Sequence, residues 1–151
     1  MSAPRLIVMG VSGCGKSTVG ALLGARTGIP FIEGDTLHPP RNVALMAAGT
    51  PLTDEDRAGW LDDIASRFAA LAPNAGLIVS CSALKRIYRD RLRAACPDLR
   101  FIHLHGTKAL LDLTLTSRLE QVNAAAIAVY VLCRDKLCTF CKKSDERMHS
   151  V

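Results

Sequence analysis

With 151 residues, the chain is long enough for one domain that buries about two-thirds of its unfolded surface. Hydrophobic residues make up 49% of it and aromatic residues only 5%, which predicts an aliphatic core. The net charge of +5 favours small anionic ligands. A nucleic-acid partner is not expected, because the first 130 residues contain no basic run with interleaved aromatic residues.

Cysteine usage and hydropathy indicate the cellular compartment in which the protein is expected. The six cysteines do not form an obvious disulfide framework of a secreted protein, because the first three are scattered among apolar or loop positions. The most apolar late run, residues 124–133, is too short to span a bilayer. We therefore expect a cytoplasmic protein with free thiols, no leader sequence and no membrane partner.

The first functional motif is a glycine-rich loop at residues 10–17, which matches G-x-x-x-x-G-K-[ST] at every fixed position. An apolar run at 5–9 predicts a buried strand before it, and helical spacing of apolar residues predicts a helix from about Lys16. Such a loop holds phosphates on backbone N–H groups. The predicted nucleotide-binding residues are Gly10, Val11, Ser12, Gly13, Cys14, Gly15, Lys16, Ser17 and Thr18.

Three side chains of this loop have predicted roles. Lys16 reaches the β- and γ-phosphates and is a catalytic candidate, while the Ser17 hydroxyl ligates Mg²⁺. Thr18 adds a hydroxyl to a phosphate from the first helical turn. The sequence therefore predicts a site for a nucleoside triphosphate, with ATP and Mg²⁺ as the cofactors.

A second strand at 31–32 is followed by acidic and imidazole side chains. Ligands of open α/β sheets bind at the carboxyl ends of strands, so Asp35 is expected beside the phosphate loop. There it can accept a hydroxyl proton from a substrate or hold Mg²⁺ through water. A helix-capping role for Asp35 is the alternative. For His38, a substrate contact and a capping or structural role stay equally open.

Two helices are predicted next, at 41–48 and from Asp54 after an [ST]-x-x-[DE] start at Thr53. Arg57 lies in the first turn, where the helix dipole favours an acid, so it is a candidate ligand for an anion; a surface pair with Asp54 or Asp56 is the alternative. One face of the helix is predicted to be core, comprising Trp60, Leu61, Ile64, Phe68 and Leu71.

The next elements are a buried strand at 77–81, a helix at 82–93, a strand at 101–104 and a helix at 106–119. No Asp ends the strand at 77–81, which strengthens the case for Asp35. On the helix at 82–93, Leu84, Ile87, Tyr88 and Leu92 mark the predicted buried stripe. Lys85 and Arg89 are expected to overhang the strand ends, unless these cations are only a solvated face. The alternation predicts a three-layer α/β/α fold around a parallel sheet.

Four blocks of the chain, at 9–20, 33–39, 49–61 and 80–90, together resemble the gluconate kinases among the P-loop small-molecule kinases. The phosphate loop is shared by many enzymes. More specific are Asp-x-x-His-Pro, Pro-Leu-x-Asp-x-Asp-Arg and Cys-Ser-Ala-Leu-Lys. The resemblance covers residues 1 to about 106.

The resemblance implies ATP-dependent phosphorylation of D-gluconate at its terminal hydroxyl, giving 6-phosphogluconate. Asp35 then orients or deprotonates the hydroxyl, and His38 meets the hydroxyls of the sugar acid. Arg57, Lys85 and Arg89 are the cations expected to meet its carboxylate. The oligomeric state stays open, although a homodimer is common in the family.

The chain departs from the family at Leu45, where a Lys is usual, and again after Gly106. The aligned lid positions lack the family's first arginine, so Arg118 is the remaining candidate for a catalytic lid cation. We accordingly divide the chain into a kinase domain at 1–122 and an atypical tail at 123–151.

The composition of this tail favours an unselected or disordered segment, for which a reading-frame change is one hypothesis. A zinc site on Cys133, Cys138, Cys141 and His149 and a redox pair at Cys138 and Cys141 are weaker alternatives.

Two other functions stay open. One is a nucleotide-binding protein with impaired or no turnover, because the altered lid does not close. The other is a kinase for another small hydroxylated acceptor, such as shikimate or a nucleoside.

Overall fold

The structure is a computed structural model that describes residues 2–105 and 128–132. Its strands are β1 (Arg5–Met9), β2 (Phe31–Glu33), β3 (Leu77–Cys81), β4 (Arg100–His105) and β5 (Ala128–Leu132). Its helices are α1 (Lys16–Thr27), α2 (Pro40–Ala47), α3 (Asp54–Ala69) and α4 (Arg86–Ala95), with a short 3₁₀ helix at Gly34–Leu37. Within these residues, no helix is both long and apolar enough to cross a membrane.

The strands form one sheet in the order β2-β3-β1-β4-β5. The first four are parallel, as the alternation of strands and helices predicts, and β1 pairs with both β3 and β4. β5 pairs antiparallel with β4. This strand lies in the tail at 123–151, where an unselected or disordered segment and no strand were expected. The division of the chain at residue 122 stays a prediction.

Two apolar clusters lie on opposite faces of the sheet, because successive strand residues point to opposite sides. On one face, Ile7 and Met9 of β1 pack with α3 and α4 through Trp60 and Leu92. On the other face, Val8 packs with the residues around α1. This arrangement confirms the three-layer α/β/α architecture.

The start of α3 follows the predicted pattern closely. The Thr53 hydroxyl accepts the Asp56 backbone N–H at 3.1 Å, and the Asp56 carboxylate accepts the Thr53 backbone N–H at 3.0 Å. This reciprocal capping box satisfies two N–H groups that the helix itself leaves unpaired. The predicted core face is also confirmed, since Trp60, Ile64 and Phe68 are fully buried.

The predicted helix at 82–93 is wrong at its beginning. The helix α4 begins at Arg86, and residues 82–85 form a loop in which the Leu84 N–H bonds to the Ser82 carbonyl at 2.8 Å. Ile87, predicted to be buried, is 59% exposed. Ala83 in this loop is fully buried in the core, which side-chain periodicity alone does not reveal. The predicted helix at 106–119 lies outside the described residues.

Candidate active site

The phosphate loop is a backbone structure that glycine makes accessible. Gly10, Gly13 and Gly15 have φ angles of 156°, 75° and 90°, which L side chains rarely adopt. Gly15 precedes α1 as its N-cap and gives no side-chain cap, so the first N–H groups of the helix face outward at its positive end. The loop therefore has the geometry that binds an anion.

Cys14 fastens this loop to the sheet. Its side chain is 1% exposed and packs with Val8, Ile78 and Leu104, so it turns away from the mouth of the loop. Burial raises the pKa of the Cys14 thiol, although the Lys16 ammonium opposes the shift. A Cβ atom on Gly10 would lie 2.5 Å from the Cys14 sulfur, so the loop closes over the thiol without space for a larger residue.

The polar side chains at the head of α1 remain accessible. The Lys16 ammonium donates to the Val11 carbonyl at 2.9 Å, which folds the side chain over the loop. Ser17 and Thr18 are exposed, and within the described part of the chain their hydroxyls have no hydrogen-bond partner. These groups are in place for the phosphate contacts that the motif predicts.

Asp35 is positioned by the residue before it. The Gly34 N–H donates to the Ser80 hydroxyl at 3.1 Å, and the Gly34 carbonyl accepts from the Trp60 indole at 2.8 Å. The Ser80 hydroxyl in turn donates to the Glu33 carboxylate. Both polar backbone groups of Gly34 are thus bound to distant elements, and Asp35 follows with an exposed side chain.

His38 is a buried ring with defined neighbours. It is 8% exposed and stacks on Trp60 with ring centroids 4.2 Å apart and an angle of 15° between the planes. Its Nδ1 lies 3.3 Å from the Asn42 amide nitrogen. Burial lowers the pKa of His38, with the Arg57 charge adding to this effect and the Asp35 charge opposing it.

Cys81, at the carboxyl end of β3, is influenced by the charges of three predicted site residues, Lys16, Asp35 and Arg57. The pKa of the Cys81 thiol is raised to about 12, mainly by burial; the Asp35 charge contributes to this rise, and the Lys16 and Arg57 charges oppose it. One buried thiol therefore lies within the electrostatic range of all three side chains. The role of Asp35 beside the phosphate loop stays a prediction.

Arg57 is not used in the surface pair that was its alternative. Asp54 accepts instead from the Lys85 ammonium at 2.6 Å and from the Tyr88 hydroxyl. Asp56 is used by the capping box and by Arg41, at 3.4 Å. Within residues 2–105, Arg57 forms no ion pair and no side-chain hydrogen bond, although its charge contributes to lowering the pKa of Asp54, so a ligand would not have to displace a direct partner of Arg57.

The two cations near α4 are placed differently from Arg57. Lys85 is paired with Asp54, and this bond raises the pKa of the Lys85 ammonium. Arg89 is 5% exposed and donates to the Leu84 carbonyl, which supports the loop before α4. A substrate contact of either residue stays a prediction. Arg118 lies outside the described residues.

Four residues that shape this site had not been recognised as such: Glu33, Asn42, Trp60 and Ser80. Trp60 was assigned to the core, where it does lie, but its indole also holds Gly34 and supports His38. A serine inside the apolar strand β3 and an asparagine four residues after His38 were the available signals. Neither signal names its partner, since the contacts cross between elements.

Mg²⁺ fits the oxygen groups at this site. It keeps several waters and usually takes only one or two ligands from a protein, the rest coming from substrate phosphates. Ser17 and Asp35 offer an exposed hydroxyl and an exposed carboxylate at the correct end of the sheet. Residues 2–105 and 128–132 contain no group of three or more His, Cys, Asp or Glu side chains suited to a metal.

The fold and the loop together define a nucleotide-binding P-loop protein of the kinase type. A family model described as shikimate kinase matches residues 12–126. A gluconokinase structure from Sinorhizobium meliloti 1021 superposes with a TM-score of 0.72 at 46% identity, covering 81% of this chain and 69% of that one. The chain belongs to the gluconokinase family.

Two sequence relatives give the same assignment. A gluconokinase of Gluconobacter oxydans 621H is 49% identical over 106 residues, which are 67% of this chain and 58% of the relative. The thermoresistant gluconokinase of Escherichia coli K12 is 42% identical over 113 residues, covering 74% of this chain and 65% of the relative. The chain thus matches about three-fifths of the length of these relatives.

Proposed function

We propose that the protein phosphorylates D-gluconate with ATP at the terminal hydroxyl, forming 6-phosphogluconate and ADP. The observation that carries this proposal is the pair of an exposed carboxylate, Asp35, and a cation, Arg57, that forms no ion pair within residues 2–105; both charges act on the buried thiol at the end of β3, as that of Lys16 does. A sugar acid presents one hydroxyl to react and one carboxylate to be recognised. Asp35 can accept the proton of the hydroxyl, and Arg57 can bind the carboxylate.

The reaction needs positioning and charge neutralisation more than covalent help. The hydroxyl oxygen bonds to the γ-phosphorus while the bond from that phosphorus to the β–γ bridging oxygen breaks. ADP leaves with the electron pair, and the hydroxyl proton passes to Asp35. Lys16 attracts the charge on the transferring phosphoryl group. Ser17 and Asp35 would hold Mg²⁺, which would supply further charge neutralisation.

Arg57 provides the preference for an acid over a neutral sugar. A guanidinium binds a carboxylate through two parallel hydrogen bonds, which a hydroxymethyl group cannot accept in the same way. Lys85 and Arg89 extend this cationic side of the site. The first is already paired with Asp54 and the second is buried, so we assign Arg57 the larger share.

The test is gluconate-dependent ATP consumption by the purified chain, with glucose, shikimate and a nucleoside as comparison acceptors. We expect turnover with gluconate above all others. In Arg57→Leu, the KM for gluconate should rise about 10- to 100-fold, since a hydrogen bond to a charged group contributes about 1.5–3 kcal/mol. The control is Arg67→Leu, an exposed arginine near the other end of α3. Equal turnover of glucose and gluconate would contradict the proposal.

A second candidate is nucleotide binding without turnover. It is favoured by the departure from the family pattern after Gly106, where the aligned lid positions lack the first arginine. A lid cation contributes about 10³-fold or more to phosphoryl transfer, so its loss would leave binding but little catalysis. ATP binding without any 6-phosphogluconate formed would support this candidate over the first.

A further inference from the structure

The contacts behind His38 determine which of its nitrogens carries the proton. Asn42 lies in α2 and is 1% exposed. Its amide nitrogen is 2.8 Å from the backbone carbonyl of Asp56 in α3 and 3.3 Å from Nδ1 of His38. A single buried amide therefore connects α2, α3 and the imidazole ring.

The Asp56 carbonyl fixes the orientation of this amide. A carbonyl oxygen only accepts hydrogen bonds, so the Asn42 atom that faces it must be the amide nitrogen and not the amide oxygen. That nitrogen carries two hydrogens, one directed at Asp56 and the other at His38. Nδ1 of His38 must then accept, which leaves the ring proton on Nε2.

Trp60 fixes the plane of the same ring. The stacked indole lies 4.2 Å from the imidazole, and its own N–H is bound to the Gly34 carbonyl directly before Asp35. Within residues 2–105, Nε2 of His38 has no hydrogen-bond partner. The ring thus has one nitrogen satisfied from behind and one N–H left for a ligand.

The surrounding charges favour the neutral ring. The groups that face His38 are Asp35 of the 3₁₀ helix, Arg57 of α3 and Asn42 of α2, while the Asp56 carboxylate is engaged by Thr53. Burial and Arg57 lower the pKa of His38 against the opposing effect of Asp35. An imidazolium would also place an Nδ1–H against the Asn42 N–H, because both atoms would then be donors.

We propose that Asn42 is a positioning residue that holds His38 as the Nε2–H tautomer, so that His38 donates to a hydroxyl oxygen of the acceptor. This proposal rests on the function proposed above for its ligand, although the tautomer itself does not depend on turnover. Asn42 contacts no reacting atom and acts through His38. It therefore contributes to acceptor recognition and not to nucleotide binding.

The direct test is the ¹⁵N NMR spectrum of the histidine rings in the full chain at neutral pH, with His38 assigned by its loss in His38→Gln. We expect a protonated Nε2 and an unprotonated Nδ1. A protonated Nδ1 in the unmodified chain would overturn the proposal, whatever the activity. Because this measurement needs neither a variant at Asn42 nor any catalysis, its failure is distinguishable from failure of the gluconate kinase assignment.

A second test, of the role of Asn42 itself, uses the variant Asn42→Asp. A carboxylate cannot donate, so it should attract a proton to Nδ1 and raise the pKa of His38. We expect the KM for the acceptor to rise about tenfold at pH above the raised pKa of His38, where the neutral ring carries its proton on Nδ1, and to recover in acid, where Nε2 is protonated as well; the KM for ATP should stay unchanged. An unchanged tautomer and an unchanged pH profile would overturn the role of Asn42. The control is Arg41→Ala. Arg41 lies in α2, as Asn42 does, and its substitution removes an exposed ion pair with Asp56 of α3.

Two substitutions of His38 distinguish the contribution of its Nε2–H donor from that of its stacking on Trp60. His38→Gln keeps an N–H group near the position of Nε2, whereas His38→Phe keeps a flat ring on Trp60 but has no donor. We expect His38→Gln to keep the acceptor KM within about tenfold of the unmodified value and His38→Phe to raise it further. Equal KM values in the two variants would show that packing alone matters and would contradict the proposal.

Discussion

The two halves of the candidate site are built in different ways. The phosphate half, from Gly10 to Thr18, is a continuous stretch whose binding groups are mainly backbone N–H groups and the end of a helix. The acceptor half brings together Asp35 and His38, from the 3₁₀ helix and its C-cap, and Arg57, from α3, and it depends on contacts between residues as distant in sequence as Gly34 and Ser80. The first half needs a local conformation, and the second needs the whole fold.

This difference teaches where specificity can change. A loop that binds through its backbone accepts any triphosphate of suitable shape, so many kinases can share it. The acceptor half depends on particular side chains and on the residues that orient them. We therefore expect substitutions in the phosphate half to change nucleotide affinity and substitutions in the acceptor half to change acceptor turnover.

The largest effect is expected for Asp35→Asn. An amide cannot accept the hydroxyl proton, so kcat should fall about 10²- to 10⁴-fold. The affinity for nucleotide titrated without Mg²⁺ should stay unchanged, because Asp35 is proposed to act on the nucleotide only through the metal ion. Single-turnover kinetics and nucleotide titration measure the two quantities separately. Asp63→Asn, which removes an exposed carboxylate of α3, is the control. A parallel loss of nucleotide affinity would mean that the two halves are not separate.

Lys16→Ala should have the converse effect on the phosphate half. It removes a cation from the phosphates, which we expect to weaken nucleotide binding and to lower turnover about 10²- to 10³-fold. Nucleotide titration by calorimetry checks the first effect. Arg26→Ala, at the exposed last turn of α1, is the matched control. Unchanged nucleotide affinity in Lys16→Ala would refute the assignment of the loop.

The smallest effect is expected on stability, from Gly34→Ala. A Cβ at Gly34 would lie 1.9 Å from the Ser80 carbonyl oxygen, so the backbone must move and stability should fall by about 1–3 kcal/mol. Asp35 would shift with it, lowering acceptor turnover as well. Gly59→Ala is the control, because a Cβ there meets nothing within 4 Å and favours the helix by up to about 1 kcal/mol. Urea unfolding compares the two, and equal stabilities would contradict the prediction.

Much of the fold follows from short-range patterns. The strands around residues 5–9, 31–33 and 77–81, the capping box at Thr53 and the buried face around Trp60 were all predictable, because each depends on neighbours a few residues apart. The beginning of α4 was not predictable, since its four preceding residues are held by packing of Ala83 and by a bond from Arg89. The exposure of Ile87 follows from the same shift.

The candidate site divides in the same manner. Asp35 could be placed from its position after a strand, and Arg57 from its unusual position in a first helical turn. The availability of Arg57 could not be predicted, because it depends on Lys85 and Tyr88 reaching Asp54 from α4. The support of His38 by Asn42 and Trp60 was likewise hidden, since the asparagine and the tryptophan belong to different helices.

The sequence by itself determined the phosphate loop, because eight adjacent residues specify both its conformation and its charge. It also determined the layering of the sheet, since hydrophobic periodicity decides which faces are buried. Only the tertiary structure decided that Arg57 has no ion pair within residues 2–105, that the contacts of Gly34 position Asp35, and which nitrogen of His38 carries the proton. Those properties depend on hydrogen bonds between elements, and a linear pattern does not specify the partners in such bonds.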